Sequence, residues 1–496
     1  MKLKDLLEVL SPFEIQNLNE DIEIKGIAYN SRDVKKGSLF AALKGENTDG
    51  YNFIPDAVKN GAAAIVSERI DSAVKVPEII VPDSRDAMAK LACRFYGEPS
   101  RKLNLVGVTG TNGKTTTTFL IESILKQAGL ESGVIGTINY RYRGKILDAS
   151  HTTPESPDLQ RLLKDMADNG VTNCVMEVSS HALSQKRVDG CIFKGGVFTN
   201  LTQDHLDYHK TMEDYFESKA RLFEEFLPQS EDCFAVINID DEWGRLLKVK
   251  RPTIVGAPKS KVKTIEYSLN AEAMGNIFPK KMDFTDNGIE ASLSTPIGSI
   301  HISSKLLGKH NLQNIMAAVG AGIGLGLKID VIEKGISNLK TVEGRIERVS
   351  SKKGFQAVID YAHTGDALER LLTTIRDVAG ARVITVFGCG GNRDRGKRPI
   401  MGEIAARFSN ITIITSDNPR DEDPLAIIKE IEAGVKGQDY MIIPDRKEAI
   451  EKAVTIAEAG DFIVIAGKGH EKYQIIGDKK IPFDDVEEVR KAMNNE

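Results

Sequence analysis

A chain of 496 residues, 41% of them apolar, can bury several cores, and at roughly 100–200 residues per domain about three domains are expected. A formal net charge of −5 excludes a chain-wide basic field of the kind that meets nucleic acid or an anionic membrane, so any anion must be met by local groups. Five widely spaced cysteines, Cys93, Cys174, Cys191, Cys233 and Cys389, form no C-x-x-C pair and are expected to be reduced structural thiols.

The N-terminus is charged from Met1 to Glu8, and no apolar run reaches the ~18 residues of a membrane helix, so a soluble cytoplasmic chain is expected. Up to about Tyr96, short apolar strands (Ala63 to Val66, Ile79 to Val81) mix with helical segments such as Asp86 to Tyr96. Gly97-Glu-Pro-Ser-Arg-Lys102 then reads as a linker, closing a first domain over 1–98. From Leu103 the pattern is strand, Gly-rich turn and helix. Strands follow at Cys174 to Val178, Gly196 to Phe198 and Phe234 to Ile237, with a helix at Met212 to Phe226, which predicts a mainly parallel sheet covered by helices. Between Lys263 and Ser303 the period changes, and Asn287-Gly288 marks a hairpin, so an antiparallel insertion is expected before an Ala- and Gly-rich helix at Asn311 to Leu327. A central domain of 99–339 results. Beyond Leu339, strands at Ala357 to Asp360, Val383 to Phe387, Ile411 to Thr415 and Phe462 to Ala466 predict a second doubly wound sheet over 340–496. The fold class is therefore α/β in three domains: a small N-terminal unit, a central phosphate-loop domain and a Rossmann-like C-terminal domain, with a site in the clefts between them.

Leu105-Val-Gly-Val-Thr-Gly-Thr-Asn-Gly-Lys-Thr-Thr-Thr-Thr118 is the most specific local signal. It places Gly110, Thr111, Asn112, Gly113, Lys114, Thr115 and Thr116 between an apolar strand and a helix. Backbone N–H groups there suit ATP phosphates, Lys114 supplies a cation, and the Thr115 hydroxyl can ligate magnesium. Val108 stands where the strict motif has its first glycine. ATP binding alone names no reaction.

The same domain carries His151-Thr-Thr-Pro154, Met176-Glu-Val-Ser-Ser-His-Ala-Leu183, and Asn200-Leu-Thr-Gln-Asp-His-Leu-Asp-Tyr-His209 followed by Thr211 to Lys219. With Gly110 to Thr116, this ordered set resembles the Mur ligase family, and within it the member that adds the third residue of the stem peptide. Glu177 and His205 each follow an apolar strand and so stand at the C-terminal edge of the sheet. The resemblance implies that both ligate magnesium, that Lys219 is carbamylated to give an anionic ligand, and that Asn311, Asn314, Arg345, Asp360 and His363 contact ATP. Taken alone, Lys219 is an ordinary lysine on a charged helix. Gly365 follows His363-Thr364 where the family pattern has proline.

For the substrates, the resemblance assigns Ser31, Thr152, Thr153, Ser179, Gln185 and Arg187 to UDP-N-acetylmuramoyl-L-alanyl-D-glutamate. Segments Asn30 to Ala41 and Gly45 to Phe53 look like the uridine-nucleotide-binding part. In the C-terminal domain, Gly388-Cys-Gly-Gly-Asn-Arg393 lacks the third glycine of a dinucleotide turn. Asp417-Asn-Pro-Arg420 instead resembles the signature of members that add meso-diaminopimelate, with Arg393, Gly467 and Glu471 as further contacts. A bidentate arginine there discriminates against lysine, which lacks the distal carboxylate. The expected reaction makes an acyl phosphate from ATP and then an amide, in a monomer, with Lys114, His205, Lys219 and His363 at the chemistry. Alternatives are the lysine-adding form, another ligase of the superfamily such as folylpolyglutamate synthetase, and a phosphate-loop ATPase that ligates nothing.

Overall fold

The computed structural model describes residues 1–18, 22–45, 48–70, 74–249, 262–273, 275–437 and 439–494, the side chains of Asp207 and Val249 apart. Met274, within the region of changed period, and Glu46 and Asn47 of the second uridine-type segment lie outside the described residues. The first five-stranded sheet has the order 14–16, 78–80, 62–67, 38–41, 26–28, parallel apart from its first strand. The central sheet runs 263–267, 234–238, 195–198, 104–109, 173–177, 132–135, then 139–142 and 145–148. Its first six strands are parallel and the last two fold back as hairpins. Strands 278–285, 288–295 and 298–304 make a separate antiparallel sheet, and the C-terminal sheet is parallel from 356–360 to 440–442 with one antiparallel edge at 347–350.

The chemistry of the elements explains these layers. Leu105, Val106 and Val108 of strand Asn104–Thr109 are buried on both faces, as a central parallel strand requires. Helix Ser156–Asp168 carries Leu159, Leu162, Leu163 and Met166 on one buried stripe, with Pro157 in its first turn. The N-terminal domain docks there: helix Ser84–Phe95, capped by the Asp83 carboxylate, packs on helix Ser156–Asp168. Tyr29 donates a 2.7 Å hydrogen bond to Asp158, and Lys186 pairs with Asp83 at 2.9 Å across the same junction.

Four details differ from the sequence reading. Lys263–Tyr267 is a parallel edge strand of the central sheet, so the antiparallel insertion begins at Phe278. Only Ile265 and Tyr267 of this strand are buried, and a half-covered parallel edge shows the same alternation as a hairpin strand. The hairpin turns at Asp286-Asn287, with Gly288 already paired to Thr285. Helix Met212–Arg221 passes into a π turn at Leu222–Phe226. The linker contains a tight helical turn, Pro99–Lys102, whose Ser100 hydroxyl accepts from the Ile192 N–H, anchoring it to the central domain.

Candidate active site

Strand 104–109 lies between 195–198 and 173–177, and the strands after it are added first on one side (132–135, 173–177) and then on the other (195–198, 234–238, 263–267), so the loop at its C-terminal end sits at a topological switch point. Gly110 has φ +145° and an added Cβ would lie 2.0 Å from Thr199 Oγ1; Gly113 has φ +86° and would lie 2.2 Å from Asn314 Oδ1. Only glycine fits either place. The Asn112 N–H donates to Asn200 Oδ1 at 2.9 Å, and helix Lys114–Gln127 begins with its free N–H groups toward the cleft. Lys114 Nζ donates to the Gly110 and Thr111 carbonyls at 2.9 and 2.8 Å, and burial pulls its pKa below the ordinary lysine value against the pull of Glu177 and Asp204.

Glu177, only 1% exposed, ends strand Asn173–Glu177. Its carboxylate accepts from Thr115 Oγ1 at 3.1 Å and from Thr137 N and Oγ1, each at 2.9 Å. His205 adopts a left-handed φ of +54° and holds Nε2 3.4 Å from Asp204. Burial pulls the His205 pKa down to about 4, so its imidazole is neutral and able to ligate. Lys219 is 1% exposed, in contrast to a solvated helix lysine. Its Nζ donates to the Gly110 carbonyl at 3.0 Å and lies over the Tyr215 ring, and burial, helped by Lys114, drives its pKa well down. Among the described residues no three His, Cys, Asp or Glu groups converge on one point. Glu177 turns to the two threonines and His205 to Asp204. The hydroxyl and carboxylate oxygens fit a hard divalent cation such as magnesium, with the neutral imidazole as a softer nitrogen donor beside them.

The opposite wall comes from the C-terminal domain. A cavity of about 280 Å³ is lined by residues 111–116, Glu177, Asp204 and His205 on one side and by Arg345, Asp360, Tyr361 and His363 on the other, with Asn311 and Asn314 at its floor. Arg345 stacks 4.7 Å over the Tyr361 ring and reaches to 3.4 Å from Thr115 Oγ1. The Asp360 carboxylate accepts from Ile346 N and Ala362 N, yet burial still raises its pKa. His363 Nδ1 lies 2.9 Å from the Tyr361 carbonyl, and burial lowers its pKa. Asn311 Nδ2 donates to the Leu307 carbonyl and its Oδ1 accepts from Asn314. Asp366 accepts from Asn112 Nδ2 at 2.9 Å and Thr202 Oγ1 at 3.1 Å, tying the C-terminal domain to the phosphate loop.

The expected substrate positions fall in three places. Thr152 and Ser179 line the cavity, while Thr153 lies behind them, donating to the Glu177 carbonyl and accepting from Ser179 N. Arg187 lies off the cavity wall, bound to the Thr153 carbonyl, to Gln185 Oε1 and at 3.0 Å to Glu155. Ser31, in the N-terminal domain, is nearly buried and its carbonyl accepts from Asn60; it is also off the wall. The amino-acid set lies off this cavity wall and gathers beside Tyr361, close enough for Asp417 and Glu471 to act on the tyrosine hydroxyl. Asp417 and Asn418 are buried, Asn418 donates to Glu471 at 2.8 Å, and Arg420, at φ +52°, donates to the Gly391 carbonyl at 2.7 Å. A Cβ on Gly391 would lie 1.9 Å from the Pro419 carbonyl, so the glycines after strand Val383–Phe387 let the two loops touch. A Cβ on Gly467 would crowd the Asp417 carboxylate at 2.7 Å, and Arg393 donates to the Asn392 carbonyl at 3.1 Å. Sequence reasoning missed Thr137, Asp204, Tyr361 and Asp366. The DYAH and QDH runs flag Tyr361 and Asp204, but nothing local marks the other two.

A phosphate loop facing a Rossmann-like domain, with a third domain docked beside it, defines a three-domain nucleotide-using α/β enzyme. Residues 23–96 match the Mur ligase family catalytic domain, 108–322 the Mur ligase middle domain and 344–469 the Mur ligase glutamate ligase domain. The chain belongs to the Mur ligase family. Relatives named UDP-N-acetylmuramoyl-L-alanyl-D-glutamate–2,6-diaminopimelate ligase include one from Geobacter metallireducens, 48% identical over 99% of this chain and 98% of its own length. Another, from Geobacillus thermodenitrificans, is 45% identical over 99% of both. A solved structure of a ligase with that name superposes with a TM-score of 0.71 at 36% identity, covering 100% of this chain and 99% of its own. The MurF ligase from Thermotoga maritima in complex with ADP shares the fold, with a TM-score of 0.64 at 21% identity over 95% of this chain and 97% of its own.

Proposed function

We propose that the chain uses ATP to join meso-diaminopimelate to the D-glutamate carboxylate of UDP-N-acetylmuramoyl-L-alanyl-D-glutamate in peptidoglycan precursor synthesis. The Asp417-Asn-Pro-Arg420 turn, seated against Glu471 and the Gly388–Arg398 loop, carries this reading. ATP gives its γ-phosphoryl group to the carboxylate, and the resulting acyl phosphate is attacked by the amine, forming the amide and releasing phosphate. Lys114, the N-terminus of helix Lys114–Gln127 and Arg345 face the transferring group from both walls and stabilise its charge. His363, held neutral by burial on the same wall, is suited to accept the proton that the amine must lose. Thr115, Glu177, His205 and a carbamylated Lys219 are the groups to hold magnesium, which when bound offsets the repulsion between phosphate and carboxylate. The lowering of the Lys219 pKa by burial favours the unprotonated amine, the form that reacts with carbon dioxide. The same reading divides the chain at 1–98, 99–339 and 340–496 and makes it a cytoplasmic monomer.

The test is phosphate release and product mass with ATP, magnesium and the UDP-linked dipeptide, supplied with diaminopimelate or lysine. Product with diaminopimelate alone is expected. Product chiefly with lysine assigns the lysine-adding form, and phosphate release without any amide product assigns a plain ATPase.

A further inference from the structure

Lys468 is a lysine with 0% exposure, held beside Asn418 and Glu471 between Gly467 and Gly469, both at positive φ. Its Nζ donates to Asn418 Oδ1 and to Glu471 Oε2, each at 3.1 Å. Asn418 Nδ2 donates to the same Glu471 oxygen at 2.8 Å, and the Ile475 N–H fixes Asn418 Oδ1 at 2.9 Å. The amide of Asn418 therefore has one orientation. Glu471 Oε2 takes both donors, and Oε1 takes no hydrogen bond among the described residues. Arg420 lies close enough to Arg393, Asp417 and Glu471 to feel the charge of each.

We propose that Lys468 is a positioning and specificity residue: it locks Asn418 and one oxygen of Glu471 so that the other oxygen receives a substrate ammonium, while Arg420 receives a carboxylate. This rests on the function proposed above and deepens it. Lys468 also sets the charge of the pocket. With its cation offsetting one of the two carboxylates, Asp417 and Glu471, the pocket favours a distal group carrying both charges over one carrying an ammonium alone, because each added cation meets less net attraction. A buried ammonium bonded to both groups costs desolvation that only such fixed partners offset.

The test is Lys468→Met, which keeps length and removes the charge. The KM for diaminopimelate is expected to rise on the order of 10- to 100-fold, the range for losing hydrogen bonds to a charged group. The KM for ATP should stay within about twofold and kcat/KM should discriminate less between diaminopimelate and lysine. If Lys468→Met does not fold, Lys468→Met in a Glu471→Gln background leaves no unpaired carboxylate beside the lost cation, and there it should add less than about twofold to the KM of Glu471→Gln alone. An unchanged KM and discrimination ratio, equal losses in both KM values, or a rise of about tenfold or more over Glu471→Gln alone in the double variant each overturn the proposal. Wild-type protein that makes no diaminopimelate product overturns the function itself, a result separate from any behaviour of Lys468.

Discussion

Single residues in this site are understood by asking what burial does to their charge. Lys114 helps burial to depress Lys219, whereas Lys114, itself lowered by burial and by Arg345, keeps two carboxylates, Glu177 and Asp204, among the groups supporting its charge. Lys219 has support from Asp204 set against full burial and Lys114, so its amine gives up its proton far more readily than an ordinary lysine does. Lys219→Met removes a polar group that is costly to bury while keeping the apolar stem over Tyr215. The variant is expected to melt no lower than wild type at pH 7 yet to lose on the order of 100-fold or more in kcat, as for other losses of transition-state charge stabilisation. Thermal melting and the ligation assay decide it. A fall in melting temperature with kcat retained gives Lys219 a purely structural role.

At the level of elements, the sequence was legible wherever structure is local. The phosphate loop declares itself because its glycines, lysine and threonines act within one turn between a strand and a helix. The parallel edge strand Lys263–Tyr267 was not legible, since only its partner Phe234–Asn238 distinguishes it from a hairpin arm. Contacts between elements were equally hidden: Lys468 meets Asn418 across 50 residues and Asp366 meets Asn112 across 254. One such contact makes a pH prediction. Helix Lys309–Gly324 meets helix Gly365–Val378 where His310 Nδ1 lies 3.2 Å from Thr374 Oγ1. Burial, with Arg370 adding to it, lowers the His310 pKa from 6.5 to about 4. The unfolded chain binds this proton more readily, so the contribution is present above pH 6.5 and is lost as pH falls toward 4, with a ceiling of roughly 3 kcal/mol. His310→Gln cannot titrate, and its melting temperature should decline less than that of wild type between those limits. Parallel decline of the two curves means that His310 is not buried in solution.

For the molecule as a whole, the cavity is built from two domains, and the N-terminal domain and the cluster of Asp417, Asn418 and Glu471 lie beyond its walls. Acyl transfer among such sites requires the C-terminal domain to sit in one place relative to the phosphate loop, because a displacement of about 1 Å at the reacting atoms costs on the order of 100-fold. Asp366 is the contact built for this. Its helix pair with Arg370, both side chains about a third exposed, is worth only roughly 0.3–0.5 kcal/mol, so its loss barely affects folding. Its bonds to Asn112 and Thr202, however, cross the cleft. Asp366→Ala should therefore lower kcat/KM for ATP by about tenfold, the lower range for hydrogen bonds to a charged group, with melting temperature nearly unchanged. Thr202→Val removes one of the two bonds from the other side of the cleft and lies off the cavity wall. The two substitutions should be non-additive by about 1 kcal/mol, since once either partner is gone the other has less to lose. Additive effects in this cycle would show that the domains are held by other surfaces and that Asp366 serves only its own helix.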